Sequence, residues 1–360
     1  MTVFSCKTKI ISGEGALSSL KGLGIRRLFL VTDPYFAQNG QAEKTAELAQ
    51  AEETEIFSQV QPDPTVELAA AGTARLRAFQ PDTVVALGGG SAMDCAKAMV
   101  HFGGLDVKLV AIPTTSGSGS EVTDFAILTH QGVKHPLVDG RLRPDVAILD
   151  GSLLQKLPRS LIADGGFDVL SHALEAYVGL NSSAFSDALA EEAFRTAFSL
   201  LGQSFSGKAQ VRQRIHEAAT MAGLAFTHGG LGLCHAMAHA LGGMFHVPHG
   251  RLNAILLPEV IDCNAHGAAA KYARLARQAG LGGSADTLGV RNLKNALIRL
   301  RQELELPQTL CQAGVNPGEV HRKARAIVEA ALADPCCKTN PVLVEDFMVR
   351  RILERVTGRV

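Results

Sequence analysis

Up to about Pro158 the chain alternates short, continuous apolar runs with stretches of helical periodicity, and beyond that point only the helical pattern remains. An apolar run without polar alternation suits a strand buried on both faces, which means a parallel sheet covered by helices. RRLFLVTD, TEIFSQV, DTVVALGGGS, VKLVAIPTTSGSGSE and DVAILD are the expected strands, and DFAILTHQGVKHPLV reads as a hairpin-like pair. GQAEKTAELAQA and TVELAAAGTARLRAF are the expected intervening helices, the second started by Pro64-Thr65. EDFMVRRILERV has the pattern of an amphipathic closing helix. A chain of 360 residues exceeds a comfortable single core. The expectation is an α/β domain over 1–157 followed by an all-helical domain over 158–360.

Two polar loops leave the ends of neighbouring expected strands. GGGSAMDCAK, residues 88–97, follows a strand and opens a helix, so its glycines permit a tight turn and bring backbone N–H groups close to an anion. Alone it is also an ordinary turn, being neither a GxGxxG fingerprint nor a phosphate loop with GK(S/T). PTTSGSGSE at 113–121 is the second loop, and ligands of open α/β sheets collect at the carboxyl ends of strands. Together the two suggest a dinucleotide. Asp33 ends the first long strand, where a carboxylate can bind an adenosine ribose and repel a 2′-phosphate, which favours NAD over NADP. Its other reading is a cap on the turn before Pro34. Lys134 is either a contact for the cofactor's polar groups or an ordinary hairpin lysine.

Five of the twelve histidines fall between residues 228 and 249. His235 and His239 lie four apart, so on a helix both imidazoles project from one face, and Asp168 and His172 repeat that spacing on GGFDVLSHALEAYV. Two such helices facing each other could enclose one divalent ion. Imidazoles with a carboxylate suit Fe(II), Zn(II), Co(II) or Ni(II) rather than Mg(II) or Ca(II). HAMAH is not the HExxH of zinc proteases, because Ala236 stands where those enzymes put their general-base Glu. The plain alternative is a set of helix-face or core histidines satisfied by hydrogen bonds. Cys234 points about 100° away from His235 on a helix and is read as packing rather than ligation.

Formal net charge is zero, with 35 basic and 35 acidic residues and no long Lys/Arg run, so nucleic acid and anionic membranes are poor partners. The start MTVFSCKTKIISGEG lacks a signal-peptide apolar core, and no run of 18 apolar residues occurs, so the expectation is a cytoplasmic protein. Seven scattered cysteines without CxxC pairing fit reduced thiols, and a Cys336-Cys337 bridge would be strained.

GGGSxxDxAK, AIPTTSGSGSEVT, the Asp168-xxx-His172-Ala-Leu-Glu segment, GLGLCHAMAHALGG and VPHGRLNAILLP together resemble the iron-dependent alcohol dehydrogenase family. The likeness runs from VTDPY at 31–35 through VQPDPT at 60–65 to TNP at 339–341. A narrower likeness, in GGGSAMD, PTTSGSGSEVT, FHVPHG and the ALAD segment near 331, is to short-chain primary alcohol dehydrogenases of the propanol dehydrogenase kind that accompany bacterial microcompartments. The resemblance implies an N-terminal Rossmann-like dinucleotide-binding domain and a C-terminal helical metal-binding domain. It implies a metal held by Asp168, His172, His235 and His249, with His239 beside it as a proton relay or substrate contact rather than a ligand. Cofactor binding would fall on Asp33, Asp63, Gly89, Gly90, Ser91, Thr114, Thr115, Ser118 and Lys134. The implied assembly is a homodimer, with enclosure in a microcompartment beside other enzymes as an extension of the narrower likeness. His228, Asp164 and His246 depart from the family pattern, in which Asn or Gln is usual at the first and a small Thr or Ser at the second, and His246 is an additional imidazole.

The expected chemistry is reversible hydride transfer between NAD(H) and a small aliphatic alcohol or aldehyde, with Fe(II) or alternatively Zn(II) polarising the oxygen. The pairs would be propanal and 1-propanol or acetaldehyde and ethanol, recycling NADH to NAD. Three Tyr and no Trp leave aliphatic groups and Phe to line the substrate pocket. Rival readings are a zinc-dependent polyol dehydrogenase of the glycerol type, a dehydroquinate-synthase-like lyase, which would need more basic residues than Arg251, and a non-catalytic metal- and nucleotide-binding shell component.

Overall fold

The computed structural model describes residues 3–358. The first two residues of the stretch read for a targeting signal and the last two of the expected helical domain therefore lie outside the described residues. Ser5–Leu157 forms one compact unit, and the chain from Pro158 onward, with Phe4, forms the other.

The first unit runs β1 (Lys9–Ser12), β2 (Arg27–Thr32), α1 (Pro34–Gln38), α2 (Gln41–Ala49), β3 (Glu53–Phe57), α3 (Val66–Phe79), β4 (Thr83–Gly88), α4 (Gly90–Gly103), β5 (Lys108–Pro113), β6 (Phe125–His130), β7 (Val133–Val138) and β8 (Val146–Leu149). Six strands form one parallel sheet in the order β1-β8-β5-β4-β2-β3. Its central strands are apolar on both faces because both are covered. Phe29, Val31, Val84 and Ala86 point toward Leu76, Met93 and Met99 of α3 and α4. Leu28, Leu30, Val85 and Leu87 point the other way, toward Leu17, Leu20 and Ala42. Burying such a side chain is worth about 1.5–3 kcal/mol, which is what selects unbroken apolar runs over alternating ones.

The hairpin stands apart from this sheet, with β6 and β7 antiparallel in the register Phe125↔Val138 to His130↔Val133. Gln131 and Gly132 close it with φ of 50° and 77°, the paired positive values of a twist-compatible two-residue turn. The sequence pattern did not announce β1. Its residues KIIS are mostly exposed, and the strand owes its place to backbone pairing with β8 at the sheet edge.

The second unit holds the α-helices α5 (Arg159–Val178), α6 (Ala184–Phe205), α7 (Arg212–Gly229), α8 (Leu233–Phe245), α9 (His249–Gln278), α10 (Asp286–Glu303), α11 (Pro317–Ala333) and α12 (Asp346–Thr357). From Ile162 onward α5 is buried almost without interruption, enclosed by α6, α7 and α9. The first turn of α9 lies directly on α5. A Cβ at Gly250 would stand 1.9 Å from the Asp164 carbonyl oxygen, so any larger residue must part the two helices. α12 buries Met348, Val349, Ile352, Leu353 and Val356, one face of an amphipathic helix. Among the described residues no helix is long and apolar enough to cross a membrane.

Candidate metal centre

Asp164, Asp168, His172 and Glu175 lie four, four and three residues apart, and so form one polar stripe along the otherwise apolar α5. Each must find partners or cost several kcal/mol of desolvation. Asp164 finds Arg251, whose Nε and Nη2 donate to Oδ1 and Oδ2 at 3.2 and 3.0 Å. Lower on the stripe, among the described residues, no lysine or arginine takes that part. Asp168 Oδ1 lies 3.7 Å from His172 Nε2, 3.7 Å from His235 Nε2 and 3.5 Å from His249 Nε2. Donors sharing one ion at bond lengths of about 2.1 Å stand about 3.4 Å apart in a tetrahedron, which the three contacts of Asp168 Oδ1 approach, and the ligand atoms of Asp168, His172 and His235 all lie within 4.8 Å of one another. Asn253, one turn beyond His249 on α9, donates from Nδ2 to Asp168 Oδ1 at 2.9 Å.

Glu175 builds the far side. α8 begins after Gly232, which has no side chain to cap it. Glu175 supplies the cap from another helix, accepting from the N–H of Gly232 at 2.9 Å and of Cys234 at 2.6 Å. Asn340 accepts from Leu233 N–H at 3.1 Å and is itself locked by reciprocal 2.9 Å amide bonds with Asn264. Glu175 Oε2 then meets His235 Nδ1 at 2.6 Å. That contact directs the Nδ1 proton to the carboxylate and leaves Nε2 free to ligate.

The electrostatics also ask for a cation. Burial would raise the Asp168 carboxyl, but His172, His249 and His235 outweigh it and hold it below its usual range. Burial would lower His235, yet Asp168 and Glu175 push it up to about 9. Between protein groups alone, two buried carboxylates thus share a proton-bearing imidazole, and a divalent ion would replace that proton. Burial, and after it the charges of His235, His239 and His172, push His249 well below its ordinary value against the pull of Asp168.

His239 stands outside this set. Its ring stacks on His249, centroids 5.2 Å apart and planes within 16°, while Nδ1 faces Asp334 Oδ2 at 2.9 Å. Cys234 is buried with its thiol against Asn253, and Cys336 and Cys337 are both free thiols. The three departures from the family pattern each have a structural role. Asp164 holds Arg251, His228 packs under the ring of Phe4 at 4.3 Å, and His246 ends α8 with φ 55°.

In the sheet unit, chain order reverses between β2 and β4, the position where open α/β sheets bind ligands. Asp33 follows β2 and the glycines follow β4. Gly88 has φ +154°, and a Cβ there would lie 2.6 Å from Ala92 Cβ and 3.7 Å from Asp33 Oδ2. The second loop lies alongside. Thr114 N–H donates to Gly88 O at 2.9 Å, and Cβ atoms on Gly89 and Gly90 would stand 3.3 Å from Thr115 Oγ1 and 3.2 Å from Ser118 Oγ. Ser91 occupies the first turn of α4, which has no acidic residue and no capping side chain, so its N-terminal dipole is open to an anion. Asp33 Oδ1 does cap α1, accepting from Phe36 N–H at 3.1 Å, which leaves Oδ2 toward the glycine loop. Lys134 and Asp63 pair with each other at 2.6 Å.

Sequence reasoning gave no role to Asp94 and Lys97, which pin the second loop. Buried Lys97 Nζ donates to Ser120 Oγ, Thr123 O and Phe125 O at 2.9–3.0 Å, and burial pushes it down to about 8 against the pull of Asp94 and Glu121. Glu175, Asn253 and Asp334 were also missed as partners. The signal for Glu175 was its place seven residues after Asp168 on the same face, whereas Asp334 stood in the ALAD segment without any local pattern that pointed to His239. Glu175→Gln should weaken binding of Zn(II) or Fe(II) about 10- to 100-fold in a chelator competition. Unchanged affinity would mean that His235 needs no carboxylate behind it.

The description "Iron-containing alcohol dehydrogenase" matches residues 7–151, and "Fe-containing alcohol dehydrogenase family, C-terminal" matches residues 162–357. The chain is 40% identical to the 1-propanol dehydrogenase PduQ of Citrobacter freundii, over 99% of this chain and 100% of that one. It is 36% identical to the NADPH-dependent butanol dehydrogenase of Clostridium saccharobutylicum, over 99% and 98%. The solved iron-containing alcohol dehydrogenase of Thermococcus thioreducens superposes with a TM-score of 0.91 at 33% identity, covering 98% of this chain and 99% of that one. With its parallel-sheet unit, its helical unit and these near full-length matches, the chain belongs to the iron-containing alcohol dehydrogenase family and is an alcohol oxidoreductase.

Proposed function

We propose that this protein is a metal-dependent, NAD-linked alcohol dehydrogenase that interconverts a short aliphatic aldehyde and its primary alcohol, propanal and 1-propanol or acetaldehyde and ethanol. The observation that carries the reading is the convergence of three imidazole Nε2 atoms on one oxygen of Asp168. That donor set suits Fe(II) or Zn(II). Asp168, His172, His235 and His249 would hold the ion. When bound, it supplies Lewis-acid polarisation of the substrate oxygen and favours its deprotonated form. The redox chemistry would be supplied by NAD when bound.

The chain's own groups do the rest. Glu175 and Asn253 keep His235 and Asp168 aimed at one point. Gly89, Gly90 and Ser91 offer backbone N–H groups to a pyrophosphate, with Thr114, Thr115 and Ser118 on the loop beside them. Asp33 offers Oδ2 to a ribose and repels a 2′-phosphate, while the Lys134–Asp63 pair sits on the hairpin side as a further polar contact. His239 exchanges the proton that the substrate oxygen loses on oxidation and regains on reduction. Phe226, 4.4 Å from the His172 ring, makes one apolar wall next to the ligands, in keeping with a small aliphatic substrate. The 1-propanol and butanol dehydrogenases among its relatives support the same substrate class.

NADH oxidation with propanal, comparing metal-free protein with Fe(II)- and Zn(II)-loaded samples, should be metal-dependent and should vanish in His249→Ala together with the bound metal. Turnover by metal-free protein, or a His249→Ala variant with full metal and full rate, would contradict the assignment. Asp33→Ser keeps a capping oxygen for Phe36 N–H but removes the charge. It should raise the NADP/NAD preference on the order of tenfold, about 1.4 kcal/mol, whereas an unchanged ratio would leave Asp33 as a cap alone.

A further inference from the structure

We infer that Asp334 is the positioning residue for His239, fixing its ring in one orientation and one tautomer, with the Nδ1 proton donated to the carboxylate and Nε2 left as the proton-exchanging nitrogen. The tautomer follows from geometry, and its consequence for turnover rests on the dehydrogenase reading above.

Both partners of the contact are held by other contacts, the carboxylate by a hydrogen bond and the imidazole by a stacked ring. Asp334 Oδ1 accepts from Cys336 N–H at 2.8 Å and so caps the short turn Pro335–Thr339, which leaves Oδ2 to His239 Nδ1 at 2.9 Å. That turn is tied to the chain leading into α8. Thr339 Oγ1 donates to Leu231 O at 2.6 Å, and Asn340 caps Leu233 N–H. His239 lies two turns further along the same helix, so carboxylate and imidazole are placed by one framework. The ring is held on its face by His249 at 5.2 Å and stands 6.2 Å from His235.

The neighbouring groups leave the assignment to Asp334. Burial would raise its carboxyl, but the contact with His239 holds it down at about 2, so it is ionised and can only accept. An ionised acceptor at Nδ1 requires the proton there, and a neutral imidazole then has its lone pair at Nε2. Cys336, whose sulfur is close enough to form a His-Asp-Cys group, does not compete. Burial and then Asp334 push its thiol well above the ordinary value, so it stays protonated. A half-buried imidazole without such a partner would populate both tautomers and several rotamers, and a carboxylate behind a catalytic histidine removes that freedom.

The test is a nitrogen NMR spectrum of Zn(II)-loaded protein with 15N-labelled histidine, the His239 signals being identified by their loss in His239→Ala. Wild type should show the Nδ1–H tautomer. Asp334→Asn keeps a carbonyl oxygen for Cys336 N–H but turns a donor toward His239, and should show the Nε2–H tautomer. The Asn variant should also retain its zinc and its KM for NADH while kcat with propanal falls about 100-fold or more. An Nε2–H or zinc-coordinated His239 in wild type, or the same tautomer in both proteins, overturns the inference. The wild-type spectrum decides the tautomer even if the variant fails to fold. Because that spectrum needs no turnover, failure of propanal as a substrate would count against the enzyme reading and not against the dyad.

Discussion

Glu175 is a buried carboxylate whose ion-pair partner among the described residues is an imidazole, and the rest of its charge is met by the amide end of a helix. Leaving such a charge unmet inside a protein costs several kcal/mol, so the two helices that carry these groups are bound to one arrangement. With the start of α8 fixed on α5, His235 must face Asp168 and His239 follows one turn later. The close approach of Gly250 to the Asp164 carbonyl does the same for α9 and brings His249 and Asn253 to the same point. The proposed metal centre, with four candidate ligands from three helices, therefore depends on one cap supplied by another helix and one contact too tight for a side chain.

The sheet unit solves a different problem, bringing polar loops together at the end of an apolar sheet. Because β3 and β4 lie on opposite sides of β2, the loops after β2 and β4 diverge and leave room at the carboxyl edge. Gly88 keeps the backbone close to Ala92, and buried Lys97 ties α4 to the Ser/Thr loop, so that the two loops stay in register. Asp33 serves two ends, with one oxygen capping α1 and the other facing the glycines. A turn cap and a cofactor contact are therefore compatible at that residue rather than rival explanations.

Local patterns in the sequence carried the elements whose cause is local. Continuous apolar runs gave β2, β4 and β5, the loss of that pattern after Pro158 gave the change to helices, and the i, i+4 spacing gave the paired Asp168–His172 and His235–His239 faces. β1 escaped because an exposed edge strand has no apolar run to mark it. The partnerships of Asp334 with His239 and of Asn340 with Leu233 escaped because each joins residues about a hundred positions apart, and spacing along a helix says nothing about contacts at that range. Asp164 looked like an oddity as a single residue. Its meaning lies in Arg251, a partner 87 positions away that only the packing of α9 on α5 brings near.

The central claim is that Asp168, His172, His235 and His249, and not His239, define one metal position. Anomalous diffraction from crystals of the Fe(II)- or Zn(II)-loaded protein tests it most directly. The account predicts one peak at about 2.0–2.2 Å from an Asp168 oxygen and from Nε2 of the three histidines. A peak held by His239 and Asp334, or metal bound without His249, would contradict it.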